Sequence, residues 1–397
     1  MQIFKSGRFS RLLKRLKKRI TSIFISHKSM PINRYLNAAQ KLDLVADSFK
    51  ADLYIAHGVQ ALPMAARQGK KYGAKVYCDA IEIPSFRERA LPSKWDDTTL
   101  NMLDYGLEGF LRNCDGVITV GEALGKILHK YNSLVTVIPN YRYSENLDRL
   151  PNLRDEFCIS NDDKVVLCIS HITTSLEEVI HAVSSLSNEV KLVIVGQILP
   201  PEYKQKIVSI IDDLGLNKRV FIRDPVPYSE LTSYASGADI GLIVLDPAIS
   251  NNYISFPNRV FDYVFSGLPI VTPYMPDISR FVEVNKCGVS IDGIGRDSWK
   301  YGINKALDNR DLFSNGAIKA SKKYTWEWLN DNVIKKAFNE FQSIAFVGIN
   351  DLSKNNRTIR LCRSLVSNSK DVSVLSPLES PESFPSEVRL INTMDLD

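Results

Sequence analysis

The chain has 397 residues, of which 44% are hydrophobic and 24% are charged, and its formal net charge is +5. These values predict a soluble globular protein, and its length makes two domains the expected number. No apolar stretch reaches about 18 residues, which excludes a membrane-spanning helix. The first residues also lack the apolar core and the cleavage site of a signal peptide.

The first 28 residues are basic, with nine Lys or Arg and no acidic residue. Leu12, Leu16 and Ile20 recur at helical spacing, so this stretch is predicted to be a basic amphipathic helix. It could be a solvated helix that packs on its own domain, or a surface that contacts an anionic membrane. No recognised reader motif accompanies the charge, so we expect no nucleic acid partner.

The cysteines and histidines do not form a metal-binding pattern. The six cysteines are scattered without a CxxC pair, and none of the five histidines has zinc spacing relative to another. Several of the cysteines lie within apolar strands, which predicts buried, reduced thiols in a cytoplasmic protein. The spacing of the cysteines and histidines predicts no zinc site. No DxD-type pair of acidic residues follows a predicted strand, so we expect no bound metal ion, and we expect no cofactor.

Apolar strands and amphipathic helices alternate along the chain in two blocks. The first block has predicted strands at 51–58, 74–80, 115–120 and 133–140. The second block has predicted strands at 164–170, 190–196, 219–224, 238–245 and 268–273. The polar segment 142–157 is the predicted linker between the blocks, and a long helix is predicted at 325–342. Such alternation indicates parallel sheets with crossover helices, so we predict an α/β fold with two Rossmann-like doubly wound domains facing a cleft.

The segment 246–269 has the most distinctive chemistry. Ser255, Asn258 and Asp262 are spaced to share one face of a helix that begins near Pro257. Free backbone N–H groups at the helix start, with Arg259 beside them, would attract a diphosphate. Asp262 could accept hydrogen bonds from ribose hydroxyls. The alternative is an ordinary helix start with a solvated aspartate.

The sequence "SNNYISFPNRVFDYVFSGLPIVTPYMPDISRFVEVNKCGVSID" resembles the nucleotide-sugar signature of the GT-B glycosyltransferases, in particular the retaining group 1 class. The matching positions are Pro257, Asn258, Arg259, Phe261, Asp262, Gly267, Leu268 and Pro269. The stretch "VFIRDPVPYSELTSYASGADIGLIVL" is similar to the part of that class that holds the nucleobase. Other stretches, such as "ADLYIAHGVQALPMA", resemble its N-terminal domain.

The resemblance implies roles for named residues. The implied donor-binding residues are Ser170, His171, Val226, Tyr253, Ser255, Phe256, Asn258, Arg259 and Asp262. The implied catalytic residues are His57 and Glu82, and the implied acceptor-side cleft residues are Asp79, Asn350, Asp351 and Arg357. The donor is then a substrate, and no divalent metal is expected. On spacing alone, His57 could equally be a structural hydrogen-bonding residue and Glu82 a solvated one.

Three positions depart from the pattern of the class. Ile254 stands where many members carry the first of two glutamates eight residues apart. The loop "SHITTSLEE" offers His171 and hydroxyl groups where Arg and Lys are usual. Ile81 replaces a histidine in "DAIE". Diphosphate binding would then depend on Arg259 and the helix start.

The segment 343–397 resembles the opening strand, loop, helix and strand of this class, although it lies at the end of the chain. Either the protein is circularly permuted, or this segment begins another module. We favour permutation, with 1–145 and 343–397 forming an acceptor-side Rossmann-like domain, 155–325 forming the donor domain, and 326–342 forming a crossing helix. The interpretation predicts that 344–349 pairs with the strand at 53–56.

The predicted function is transfer of a sugar from a nucleotide-diphosphate-sugar to a hydroxyl of a glycan or lipid-linked acceptor in cell-surface polysaccharide synthesis. The expected location is the cytoplasm, with peripheral contact between residues 1–28 and the inner face of the cell membrane as one alternative. Two other functions remain open: a non-catalytic GT-B subunit that partners an active enzyme, and a nucleotide-sugar epimerase.

Overall fold

The structure is a computed structural model that describes residues 49–58, 61–83, 97–144, 153–169 and 175–393. The chain divides into two compact units. The first unit combines 1–76 with 341–397, and the second comprises 77–340. This division falls at other positions than the predicted domain boundaries, which stay a prediction. The basic stretch 1–28 lies outside the described residues.

Within the described residues, the strands are β1 (Leu53–His57), β2 (Lys75–Asp79), β3 (Gly116–Thr119), β4 (Val135–Val137), β5 (Lys164–Ile169), β6 (Val190–Val195), β7 (Val220–Arg223), β8 (Ile240–Leu242), β9 (Ile270–Pro273), β10 (Gly288–Ile291), β11 (Ser343–Val347), β12 (Asp371–Ser376) and β13 (Arg389–Asn392). The α-helices are α1 (Leu62–Tyr72), α2 (Asp97–Leu111), α3 (Glu122–Leu128), α4 (Leu153–Glu156), α5 (Leu176–Ser184), α6 (Pro201–Asp213), α7 (Leu231–Ala235), α8 (Ser250–Tyr253), α9 (Asn258–Phe265), α10 (Pro276–Asn285), α11 (Arg296–Asp308), α12 (Arg310–Lys323), α13 (Trp326–Leu329), α14 (Lys335–Ala337) and α15 (Asn356–Ser367).

The second unit contains a six-stranded sheet in the order β7-β6-β5-β8-β9-β10, and all of its neighbouring strands are parallel. This is the Rossmann order, in which the chain runs outward from a first central strand and then restarts on its other side. Both faces are covered by helices, so strands such as β5 are buried on both sides. Trp299 of α11 is fully buried in this core. The same unit also contains β3, flanked by parallel β2 and β4.

In the first unit the strands run in the order β13-β12-β11-β1, again all parallel. β11 is the first strand of the same Rossmann order, although it lies near the end of the chain. Leu53 pairs with Ile344 and Ala56 with Val347. The predicted pairing between the C-terminal segment and the strand at 53–56 is therefore present, and the α/β prediction with Rossmann-like sheets is confirmed.

The predicted extent of the long helix at 325–342 is wrong. The helical region is divided by a π-helical segment, Asn330–Ile334, and it ends at Ala337. The carboxylate of Asp52 accepts hydrogen bonds from the backbone N–H groups of Gln342 and Ser343, which lead directly into β11. Ser343 is therefore already part of the sheet, and Gln342 forms a bend before it, so neither residue is helical.

Two of the described residues in the polar segment 142–157 are buried, and its role as a linker stays a prediction. Arg142 is only 2% exposed, and Leu153 at the start of α4 is fully buried. Arg142 is buried because it forms an ion pair with an aspartate far along the sequence, described below. Residues 145–152 lie outside the described residues.

Candidate functional site

The order of the six-stranded sheet reverses between β5 and β8, and open α/β sheets bind ligands beyond the carboxyl ends of the strands at such a switch point. Tyr263 of α9 marks this position. Its hydroxyl accepts a hydrogen bond from the N–H of Ile169 at 2.8 Å and lies 3.0 Å from the carbonyl oxygen of Leu242. Tyr263, in the second half of α9, thereby holds this helix against the ends of both strands.

The close approach of Tyr263 requires a glycine in the neighbouring strand. A Cβ placed on Gly241 of β8 would lie 2.6 Å from the Tyr263 ring, which is too close for carbon atoms. The Tyr263 side chain is fully buried, and burial raises the pKa of its hydroxyl well above the ordinary value of 10.0. The hydroxyl is thus a neutral hydrogen-bonding group that positions α9.

Arg259 lies four residues before Tyr263, on the same face of α9. One of its guanidinium nitrogens, Nη1, is buried and has no hydrogen-bond partner among the described residues. Burial raises the pKa of the neighbouring Cys168 thiol in β5 to about 12, and the positive charge of Arg259 acts in the opposite direction. A buried N–H donor with no partner costs free energy, so its position beside the end of β5 suits an anionic ligand.

The predicted ribose-binding residue, Asp262, has an internal partner. Arg142 donates from Nη1 to Asp262 Oδ1 at 2.7 Å, and the two side chains are only 2% and 5% exposed. The alternative of a solvated aspartate at a helix start is therefore wrong. The carboxylate lies one residue before Tyr263, and its proposed contact with ribose stays a prediction.

The other predicted donor-binding residues occupy different settings. Ser255 donates from its hydroxyl to the carbonyl oxygen of Asn252, so it stabilises the turn before α9. Phe256 is 9% exposed and packs on Phe261 with ring centroids 4.9 Å apart. Tyr253, in contrast, is 39% exposed.

Asn258 is the first residue of α9 and is exposed, and Val226 is half-buried in the loop after β7. Ser170 and His171 lie outside the described residues. Ile254, which stands where many class members have a glutamate, is 7% exposed.

The segment after β2 carries two of the predicted acceptor-side and catalytic residues. Asp79 is 1% exposed at the end of the strand, and Glu82 is half-buried. The next residue, Ile83, is held by the side chain of Asn251 from α8. The amide of Asn251 donates to the Ile83 carbonyl at 3.0 Å and accepts from the Ile83 N–H at 3.2 Å.

The first unit has a switch point of its own between β11 and β1, and the remaining predicted residues lie there. The Nε2 atom of His57, at the end of β1, is 3.0 Å from Nδ2 of Asn355. Asn355 also accepts from the N–H of Thr358 through Oδ1, and thereby caps α15. Asp351 accepts from the N–H of Ser353 at 2.9 Å.

Arg357, at the start of α15, is 4% exposed, whereas Asn350 is exposed. His57, Asn350, Asp351 and Arg357 thus belong to one switch point, and Arg259 and Asp262 belong to the other. The sequence analysis missed Arg142, Asn251, Tyr263 and Asn355. Asn251 and Tyr263 lie within the stretch that resembles the nucleotide-sugar signature, and Asn355 lies within the segment 343–397, but the resemblance did not single them out.

An open depression of about 540 Å³ lies elsewhere on the second unit, lined by residues that include Glu178, His181 and Arg296. None of the predicted site residues lines it. Within the described ranges, no three or more His, Cys, Asp or Glu side chains are arranged to hold a metal ion. Among the helices that the structure describes, none has the length and apolar character needed to cross a bilayer.

Comparisons with known proteins were made by sequence and by structure. Residues 151–324 match the family described as "Glycosyl transferases group 1". No curated protein matches the chain significantly.

Solved structures resemble the chain at low identity. HepE of Anabaena in complex with UDP-glucose has a TM-score of 0.61 at 14% identity, covering 76% of this chain and 82% of that one. Its complex with UDP has a TM-score of 0.60 at 16% identity, covering 76% and 81%.

Sucrose-phosphate synthase from Thermosynechococcus elongatus has a TM-score of 0.57 at 14% identity, covering 70% of this chain and 71% of that one. At these identities the likeness to solved structures concerns the fold. The family match concerns residues 151–324, and the likeness to these glycosyltransferase structures supports a two-domain Rossmann-like fold for the chain.

Proposed function

We propose that this protein transfers a sugar from a nucleotide-diphosphate-sugar to a hydroxyl of a glycan or lipid-linked acceptor. The observation that carries the proposal is the arrangement at the β5/β8 switch point. There, Arg259 presents a buried N–H donor without a hydrogen-bond partner among the described residues, at the start of a helix. A diphosphate can accept hydrogen bonds both from this N–H group of Arg259 and from the free backbone N–H groups at the start of α9.

Uridine is the first base to test. HepE of Anabaena has been solved with UDP and with UDP-glucose, and it resembles this chain in fold. In the proposed complex the diphosphate binds Arg259 and the helix start, the ribose hydroxyls bind Asp262, and the base lies against the loop that contains Val226. The remaining donor residues implied by the resemblance, including Ser170 and His171, surround the sugar and phosphates.

We further propose that transfer retains the configuration of the sugar and needs no divalent metal. The protein then contributes mainly by positioning the reactants and stabilising the charge of the leaving diphosphate. His57 and Glu82 act on the acceptor side, where Glu82 takes or orients the acceptor proton. Asp79, Asn350, Asp351 and Arg357 bind or orient the acceptor.

The residues 343–397 complete the acceptor-side domain in this proposal, so the chain is a circularly permuted GT-B enzyme. The pairing of β11 with β1 supports this interpretation. The basic stretch 1–28 would hold the enzyme at an anionic membrane, where lipid-linked acceptors for cell-surface polysaccharide are found. Sedimentation with vesicles that contain or lack anionic lipid tests that contact.

Calorimetry of UDP binding tests the proposal directly. Arg259→Met should weaken UDP binding by about tenfold or more, because a charge-assisted contact with phosphate is lost. UMP should be affected less, because its single phosphate cannot engage both the arginine and the helix start. Arg280→Met, which changes an exposed arginine on α10, is the matched control and should bind UDP normally.

Absence of binding by UDP, GDP and every other nucleoside diphosphate would contradict the proposal. NMR analysis of products then separates the remaining functions. A non-catalytic subunit would bind the sugar donor and form no product. The buried Ile254, at the position of a family glutamate, favours this alternative. An epimerase would instead invert the configuration of one sugar carbon. A putative UDP-N-acetylglucosamine 2-epimerase from Listeria monocytogenes is similar in fold, with a TM-score of 0.51 at 12% identity, covering 79% of this chain and 82% of that one.

A further inference from the structure

The ion pair between Arg142 and Asp262 joins two regions 120 residues apart in the sequence. Arg142 lies before the part of the chain that matches the glycosyltransferase family, whereas Asp262 lies within it. A buried carboxylate without a cation would be strongly disfavoured, so Asp262 depends on a residue outside the matched domain.

The same guanidinium contacts the loop on the base side of the proposed donor site. Its Cζ atom lies 4.4 Å from the centroid of the Tyr228 ring, which is a cation–π distance. Tyr228 follows the predicted base-binding residue Val226 by two positions. One side chain therefore touches both the carboxylate proposed for the ribose and the loop proposed for the base.

The backbone of Arg142 is fixed as well. Its carbonyl oxygen accepts from the N–H of Trp326 at 2.7 Å, and Arg142 forms an isolated parallel bridge with Thr325. The neighbouring Tyr141 packs edge-on against Phe261, with ring centroids 5.0 Å apart. The backbone that carries the guanidinium is therefore fixed, while the guanidinium itself contacts Asp262 and Tyr228.

We propose that Arg142 is a positioning residue for donor recognition, which sets the orientation of the Asp262 carboxylate toward the ribose hydroxyls and holds the Tyr228 loop. The inference rests on the proposed function, because it concerns how the same site distinguishes its donor. Arg142 itself does not touch the donor. Its effect should appear in selectivity for ribose hydroxyls, which a purely structural ion pair would not alter.

The test compares the affinities of UDP and 2′-deoxy-UDP by calorimetry. The wild-type protein should prefer UDP by about tenfold or more, the loss expected when a charged acceptor loses a hydroxyl partner. In Arg142→Gln this preference should fall to less than threefold. Arg142→Lys keeps the buried charge but lacks the planar fork, so its preference should lie in between.

Arg154 supplies the matched control. It forms a partly buried pair with Asp239 at 2.7 Å in the same unit, with the two side chains 15% and 7% exposed. Arg154→Lys and Arg154→Gln should change the unfolding midpoint and leave the preference for UDP unchanged. If Arg142→Gln does not fold, Arg142→Lys carries the test.

The outcomes separate the inference from the function on which it rests. Failure of the wild-type protein to bind any nucleoside diphosphate overturns the proposed function. If the wild-type protein binds UDP and 2′-deoxy-UDP equally, or if both Arg142 variants keep the full wild-type preference, the positioning role is overturned while the proposed function stands.

Discussion

The switch point in the second unit and the switch point in the first unit differ in how the chain builds them. β5 and β8 lie within one continuous stretch, and Tyr263 of the same stretch bridges their ends. β11 and β1 come from segments about 290 residues apart, and side-chain contacts such as that between Asp52 and Ser343 join their beginnings. The same strand order can therefore be formed within one continuous stretch or by two segments that are far apart in the sequence.

If the segment 343–397 completes the first unit, deletion of this segment should have the largest effect on folding. Deletion of 343–397 removes β11, β12 and β13 and leaves β1 with an unpaired edge. We expect aggregation or loss of cooperative unfolding, measured by sedimentation and by thermal circular dichroism. The matched control moves 343–397 in front of Met1 through a flexible linker and should fold.

A truncated chain that stays soluble, unfolds cooperatively and transfers sugar would show that 343–397 is the start of a separate module. Nucleotide binding alone does not decide the question, because the proposed donor residues belong to the second unit.

The switch point between β5 and β8 in the second unit can be disturbed by a single methyl group. Gly241→Ala should destabilise the protein by about 1–3 kcal/mol, because the new Cβ would lie 2.6 Å from the Tyr263 ring and the core must shift. Urea unfolding measures the change. Gly109→Ala is the control, since Gly109 is an exposed position of α2 and no atom lies within 4 Å of the added Cβ. This control should be neutral or gain about 0.5–1 kcal/mol.

Gly241→Ala should also weaken UDP binding, because Tyr263 holds α9, the helix that carries Arg259 at its start. A variant with wild-type stability and wild-type UDP affinity would mean that Tyr263 does not position the helix.

The smallest expected effect concerns Asp52, which joins the beginnings of β1 and β11. The hydrogen bond from the N–H of Ser343 is the main cause that holds the pKa of Asp52 below its ordinary value of 3.8. The folded protein therefore favours the ionised form, so this stabilisation is complete above about pH 4 and disappears as the pH falls through the lowered pKa.

Asp52→Asn should reduce the free energy of unfolding at pH 7 by about 0.5–1 kcal/mol, a small value because the carboxylate is exposed to solvent. The difference from the wild-type protein should shrink as the pH is lowered below about 3.8, which urea unfolding at several pH values measures. Asp371→Asn, at the exposed start of β12, is the control and should show no such trend. A constant difference at all pH values would exclude the role of the ionised carboxylate.

Much of the fold follows from local patterns in the sequence. The apolar run 164–170 predicted β5, which spans Lys164–Ile169, because a strand buried on both faces needs apolar side chains throughout. Gly73 ends α1 with a φ of 69°, as expected for a glycine after a helix. The resemblance in the C-terminal segment predicted a pairing that composition alone could not reveal.

The parts that were missed depend on distant partners. Arg142 is a charged residue in a polar stretch, and its burial depends on Asp262, 120 residues later. Asn355 has an ordinary helix-capping sequence, but its contact with His57 spans 298 residues. Local periodicity contains no information about such partners, because they are determined only when the sheets assemble.

The bridge between Arg142 and Thr325 has a consequence for the exchange of domains between proteins. These two residues lie just outside the two ends of the segment that matches the glycosyltransferase family, and they meet in the folded chain. A fragment cut at the limits of that match would retain Asp262 but lose its counter-ion. A transplantable unit must therefore include Arg142 through Trp326, so the smallest part that can be exchanged is larger than the part that sequence comparison recognises.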